Sequence, residues 1–213
     1  GRCLADEREE GMGRVIDGYR RFRADVWPSE HARYQALAAL GQAPETMVIA
    51  CSDSRVDPQT VFNAGPGEFF VVRNVAGLVP AYTPDAGYHG TSAALEYAVR
   101  VLRVKRIAVL GHGKCGGIRA LVEGAPEEAR DFVKPWMKIA EPVLRAIPDH
   151  VPVEDIPDWC EYQVVKLSLQ NLMTFPWIQE AVAERRLKLQ GFRFEIFTGI
   201  LTMLQDDQFV PVL

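Results

Sequence analysis

RIAVLGHGKCGG, residues 106–117, decides how the rest of the chain is read. Its first half is a short apolar run of the kind that forms a strand buried on both faces of a parallel sheet. Its second half is a glycine-rich turn that leads into a further helix and carries His112 and Cys115 three positions apart. A strand ending in such a turn sets both side chains at the carboxyl end of a sheet, where open α/β folds bind ligands.

Upstream, MVIAC (47–51) is a second run of this type; it ends in a cysteine and is followed by the polar loop SDSRVDP, in which Asp57 before Pro58 marks a helix start. FFVVR (69–73) reads as another strand, and a helix from about Gly90 to Leu102 leads into the quoted one. This alternation predicts an α/β fold with a mostly parallel central sheet flanked by helices. Residues 12–40 read as an N-terminal helical arm, with Val15, Tyr19 and Phe22 at spacings of three and four, a break at Pro28 and a restart at Ser29. Residues 126–185 read as mostly helical, interrupted at Pro135, Pro152, Pro157 and Pro176. The stretch FRFEIFTGILTML (192–204) alternates and turns like a C-terminal edge strand or hairpin. A single domain over residues 1–213 is expected, with 12–40 as its arm.

Bulk properties exclude several functions. The chain has 213 residues, 48% of them hydrophobic, and its 24 basic residues are scattered among 28 acidic ones for a net charge of −4. No basic face suited to a nucleic-acid backbone stands out. No apolar run approaches the roughly 18–20 residues of a membrane span, and GRCLADEREE lacks the apolar stretch of a secretory signal, so a cytoplasmic protein without a membrane partner is expected. Cysteines at 3, 51, 115 and 160 are too sparse for a disulfide scaffold.

Cys51 and the His112–Cys115 turn both follow strands, so the three side chains can converge on one point. Sulfur and imidazole nitrogen suit zinc, and three protein ligands leave a fourth tetrahedral position open, as in a catalytic site. Taken singly, each residue reads as a small buried hydrophobe or a hydrogen-bonded structural histidine. Grouped beside Asp53 and Arg55, they read as a metal site, while Cys3 and Cys160 have no such company. A rival lies in the same letters: Gly111, Gly113 and Gly116 spell the G-x-G-x-x-G of a dinucleotide loop. The required acid at the end of a second strand about 20 residues on is missing, because EGAPEEARDF has no strand pattern. Asp53 and Arg55 are either a solvated loop ion pair or a functional one. Two thiolates and a neutral imidazole cancel the charge of zinc, so its water is polarised weakly. A carboxylate that accepts a hydrogen bond from the nucleophile, held off the metal by an arginine, then becomes valuable.

At these residues the chain resembles the β-class carbonic anhydrases. CSDSRVDP and GHGKCGG match the paired zinc motifs; PGEFFVVRNVAG and GTSAALEYAV between them, and SLQNLMTFPWI and LQGFRFEIFTG after them, resemble family blocks in the same order, covering roughly residues 12–204. The resemblance implies one zinc per subunit on Cys51, His112 and Cys115, an Asp53–Arg55 catalytic dyad, and reversible hydration of carbon dioxide to bicarbonate and a proton by hydroxide on the zinc. It implies an intertwined homodimer, compatible with tetramers, in which Gln42 and Tyr97 reach the partner's site. Phe70 and Val75 would form an apolar wall for carbon dioxide, and Gly116 would offer a backbone donor. Two departures stand out. Gly77 occupies a position where many relatives carry asparagine, and Val48 stands where the subgroup with an allosteric bicarbonate pocket has tryptophan, so the plant-like subgroup without that inhibition is expected. The same ligands could also serve a carbonyl sulfide or carbon disulfide hydrolase, or a zinc-bearing assembly scaffold. His89 is the one candidate for a proton shuttle.

Overall fold

The computed structural model describes residues 4–212, with side chains from residue 11 onward, and divides between Gln42 and Ala43 into two compact units. Cys3 lies outside the described residues. The first unit holds α1 (Leu4–Arg21) and α2 (Trp27–Leu40), joined by a π-helical turn at Phe22–Val26. Helix thus begins before the expected Met12. The expected break at Pro28 is displaced too: Pro28 sits in the first turn of α2, where its missing N–H leaves no hydrogen bond unmade, and the irregularity lies just upstream. Trp27 and Tyr34 pack their rings 5.3 Å apart within this unit.

The second unit is built on β1 (Thr46–Cys51), β2 (Phe69–Asn74), β3 (Arg106–His112), β4 (Lys188–Phe194), β5 (Leu201–Gln205) and β6 (Gln208–Pro211). They form one sheet in the order β2-β1-β3-β4-β5-β6, the first four strands parallel and the last two antiparallel. The expected mostly parallel sheet is present. The C-terminal tail differs in detail: Phe192–Phe194 ends an interior parallel strand, and the hairpin continues into β6, which forms the edge.

Seven helices surround the sheet: α3 (Pro58–Val61), α4 (Gly90–Glu96), α5 (Gly116–Glu123), α6 (Val133–Met137), α7 (Glu141–Arg145), α8 (Ile156–Leu172) and α9 (Pro176–Ala183), with α4 running on into a π-helical turn at Tyr97–Val101. Pro157 and Pro176 open α8 and α9 rather than interrupting helices.

The apolar run of β1 is buried on both faces, as its sequence requires. Met47 and Ile49 join the core that contains Leu95, Ile107 and Phe175, while Val48 and Ala50 point into another with Ala108 and Leu110. Each such fully buried aliphatic side chain contributes about 1.5–3 kcal/mol. Helix α8 crosses β3 and β4 closely because both strands present glycine beneath it. A β-carbon on Gly111 would lie 2.6 Å from Val165 Cγ2, and one on Gly191 would lie 2.8 Å from Val165 Cγ1. Gly111→Ala would force the helix away from the strand that carries His112.

Candidate metal centre

Register brings the ligands together. β1 and β3 pair from Thr46 opposite Arg106 to Ala50 opposite Leu110, so Cys51 and His112 leave adjacent strands at nearly the same level. Past His112 the chain turns through Lys114, which is left-handed at φ 56°, and Cys115 then serves as the N-cap residue of α5. The ligand atoms of Cys51, His112 and Cys115 all lie within 4.8 Å of one another, the one such grouping of three metal-ligating side chains among the described residues.

The donor set fits zinc. Cys51 Sγ and Cys115 Sγ are 3.9 Å apart, and two sulfurs on a tetrahedral zinc with bonds near 2.3 Å stand about 3.8 Å apart. His112 Nδ1 donates to Gly113 O at 2.7 Å, which fixes the tautomer and leaves a lone pair on Nε2. Nε2 is buried and has no hydrogen-bond partner, a costly state that a metal relieves.

Asp53 and Arg55 border this group as expected. Arg55 grips the Asp53 carboxylate with Nε to Oδ1 at 3.0 Å and Nη2 to Oδ2 at 2.7 Å, and its backbone N–H adds a bond to Oδ1 at 2.9 Å. Arg55 Nη2 also donates to Lys114 O at 2.9 Å, joining the two ligand-bearing loops. Asp53 Oδ2 lies 3.9 Å from His112 Nε2, and Asp53 N donates to Cys51 Sγ at 3.4 Å.

These contacts set the charge states. The Arg55 side chain holds the Asp53 carboxyl well below the usual carboxylate range, against a smaller opposing effect of burial. Without metal, the two thiols act as a pair. Cys51 is driven below the ordinary thiol range because the Cys115 S–H bonds to its thiolate, and Cys115 is driven far above it by that same bond and by burial. Burial pulls His112 down, yet the adjacent Cys51 sulfur, the hydrogen bond to Gly113 O and the charge of Asp53 leave it raised. Burial pushes the Cys160 thiol up to about 11. Cys160 is fully buried in α8 and remains an inert core thiol.

The other expected site residues divide. Val75 packs into the cluster that contains Cys51 and Cys115, and Gly116 stands exposed beside Cys115 with open space around it. Phe70 and Tyr97 stack on each other at 5.8 Å, but Phe70 sits four residues before Asn74, the residue paired with Cys51. That places it roughly 13 Å down the strand from the metal ligands. Gln42 is exposed and belongs to the first unit. His89 bonds Asp85 at 2.6 Å in an exposed loop.

Arg73 went unremarked in the sequence reading. It donates to Cys51 O at 2.8 Å, Asp53 O at 2.7 Å and Val56 O at 3.1 Å, and reaches Asp57 Oδ1 at 3.4 Å, so it fastens the whole Asp53 loop. Its signal was an arginine in an otherwise apolar strand. Trp136 Nε1 donates to Val75 O at 2.8 Å and anchors the following turn, a role with no local sequence sign.

Fold and donor set define a class: an α/β protein with a three-ligand zinc centre at the carboxyl end of a mostly parallel sheet. The family profile described as carbonic anhydrase matches residues 46–201. The chain is 32% identical over 217 aligned positions to β carbonic anhydrase 3 of Arabidopsis thaliana, covering 96% of this chain and 83% of that protein. It is similar to the structure of the β-carbonic anhydrase CcaA, with a TM-score of 0.89 and 31% identity over 96% of this chain and 93% of that one. A structure from a study of two tetrameric β-carbonic anhydrases of Sordaria macrospora matches at a TM-score of 0.70 and 29% identity, covering 98% and 99% of the two chains. The chain belongs to the carbonic anhydrase family, in its β-class, and is a zinc-dependent enzyme that hydrates carbon dioxide.

Proposed function

We propose that Cys51, His112 and Cys115 hold the zinc, that Asp53 and Arg55 are the catalytic dyad, and that a second copy of the chain completes the substrate pocket. The observation that carries this reading is the grip of Arg55 on Asp53 next to the bare Nε2 of His112. Held by Cys51, His112 and Cys115, zinc would supply Lewis-acid chemistry that activates water as the nucleophile for carbon dioxide. Asp53 is ionised throughout the neutral range and can only accept. It takes the hydrogen bond of the attacking oxygen and thereby turns a lone pair toward the carbon. Arg55 occupies both carboxylate oxygens, which keeps Asp53 from swinging in as a fourth ligand.

Carbon dioxide carries no charge, so it partitions against apolar surface; Val75 provides that surface beside the thiolates. The exposed Gly116 can offer its backbone N–H to an oxygen of bicarbonate.

Phe70 lies too far down β2 to serve the site of its own chain, and Tyr97, in the π-helical turn after α4, stacks against it there. β2 is an edge strand of the sheet, and Tyr97 and Val101, 45% and 60% exposed on the helical turn whose Tyr97 packs on Phe70, add an apolar surface that suits a second copy. A homodimer would give Phe70, Tyr97 and Gln42 a role across the interface, and dimers could pair further into tetramers. Val48, at the position where the subgroup with an allosteric bicarbonate pocket carries tryptophan, supports the plant-like subgroup without that inhibition.

Stopped-flow hydration of carbon dioxide with metal analysis tests the assignment. Asp53→Ala should retain zinc and lose about a hundredfold or more in kcat, whereas Cys51→Ser should lose the metal. Full turnover in a zinc-retaining Asp53→Ala protein would remove the dyad from the reaction. An active monomer in light scattering would remove the cross-subunit roles.

A further inference from the structure

Beneath the His112–Cys115 turn lies a buried ionic network that the reaction described above does not use. Glu161 on α8 and Arg193 on β4 are 2% and 4% exposed. Arg193 Nη2 donates to Glu161 Oε2 at 2.7 Å, while the other carboxylate oxygen, Oε1, accepts from the backbone N–H of Cys115 at 3.4 Å. Arg193 Nη1 is held in turn by Glu195 Oε2 at 3.0 Å and Tyr162 Oη at 3.1 Å, and its guanidinium lies 4.4 Å from the centre of the Tyr162 ring. The turn rests directly on this group. Gly113 N donates to Phe194 O at 2.9 Å, and a β-carbon on Gly113 would come within 3.1 Å of Arg193 Nη2.

A buried ion pair is a poor source of stability, since taking both charges out of water costs as much as their attraction returns, and apolar replacements of similar volume are often neutral or stabilising. What a pair in this place supplies is direction. Cys115 follows a left-handed Lys114 and precedes the first turn of α5, so no strand or helix partner is available to its amide. Glu161 takes that amide with one oxygen and is itself aimed by Arg193 through the other. Arg193, which also binds Glu195, offsets the Glu161 charge that would otherwise be set against the thiolates.

We infer that Glu161 and Arg193 are positioning residues for the metal: they clamp the Cys115 end of the turn from below and fix its sulfur at the spacing zinc requires. The inference rests on the assignment of Cys51, His112 and Cys115 as zinc ligands.

The test uses the zinc-loaded protein and the double variant Glu161→Met, Arg193→Met, which fills the space with apolar side chains. Zinc release to a chromogenic chelator should accelerate about 10–100-fold, the usual loss when a group supporting a metal ligand is removed. The sulfur-to-metal charge-transfer band of the cobalt-substituted protein should shift, while the far-UV circular dichroism spectrum stays as in the parent. If the double variant does not fold, Glu161→Asp keeps the bond to Arg193 and draws the carboxylate back from the Cys115 amide, and faster release is again expected. Release at the parent rate in a folded variant overturns the inference, even if thermal stability falls, because the pair would then be structural only. A parent protein without stoichiometric zinc would instead overturn the ligand assignment, and the clamp with it.

Discussion

Gly77→Ala is the perturbation whose cost can be built most directly from the structure. Gly77 is left-handed at φ 61° and follows Ala76, left-handed at φ 67°, in the short turn that ends β2. An L side chain in that backbone region costs about 1–2 kcal/mol. A β-carbon at Gly77 would also stand 3.2 Å from Ala50 C and Cys51 N and 3.4 Å from Leu110 O. All three neighbours are main-chain atoms of the sheet and cannot rotate away, so the turn or the ligand strand must give by a few tenths of an ångström. For a protein of this size each kcal/mol lowers Tm by about 2–4 °C, so a fall of roughly 2–8 °C is expected from the backbone cost alone. Calorimetry of the zinc-loaded protein measures it, and zinc release should quicken because the strain is applied at Cys51. Gly77→Asn separates the two contributions. Asparagine tolerates the left-handed region better than alanine but brings the same β-carbon, so Tm should rank Gly77 above Asn and Asn above Ala. An alanine variant as stable as the parent would refute both the strain and the close-approach reasoning.

Other outcomes follow from the same geometry. Arg73→Met keeps side-chain bulk but donates nothing to Cys51 O, Asp53 O or Val56 O; it should cost about 1–3 kcal/mol and lower kcat by slackening the Asp53 loop. Unchanged stopped-flow kcat would mean that Arg55 alone holds that loop. Zinc affinity should rise with pH, by about a decade per unit for each proton released, because Cys115 is raised and its proton must leave for metal to bind. Toward acid the slope should steepen, since His112 is raised as well and must also shed a proton. Isothermal titration in buffers of different ionisation enthalpy counts those protons, and a pH-independent affinity would show both thiols ionised before metal arrives.

The sequence was most legible where chemistry and secondary structure coincide. Cys51 and His112 each end a short apolar run that suits a buried strand, so both could be set at the carboxyl end of one sheet, while the adjacency of β1 and β3 that joins them is seen only in the register. The prolines were legible in kind but misread in function. Pro157 and Pro176 break the helical pattern in sequence, yet each stands where a helix begins, because local text does not say on which side of a proline the helix lies. Phe192–Phe194 alternates like an edge strand, and only pairing with β3 reveals its interior place, since register against a strand some eighty positions away leaves no local mark. Glu161 illustrates the same limit. It sits on the buried stripe of α8 between Cys160 and Val164, and Arg193 takes an inward position on β4. Each looks like a misplaced charge until the helix is laid over the strand.

The two halves of the metal site are fastened by separate means. Arg73 pins the loop after β1, while Glu161, Arg193 and the bond from Gly113 N to Phe194 O pin the turn after β3. Arg55 bridges them through Asp53 and Lys114 O. Because β1 and β3 are hydrogen-bonded neighbours, the placement of Cys51 against His112 is governed by sheet register, and the Cys115 sulfur is then set by the clamped turn. The chain's own packing therefore holds the thiols at zinc spacing, and little conformational entropy is left for metal binding to remove. It follows that substitutions which shift β1 against β3 should damage the site more than substitutions in the exposed part of either loop.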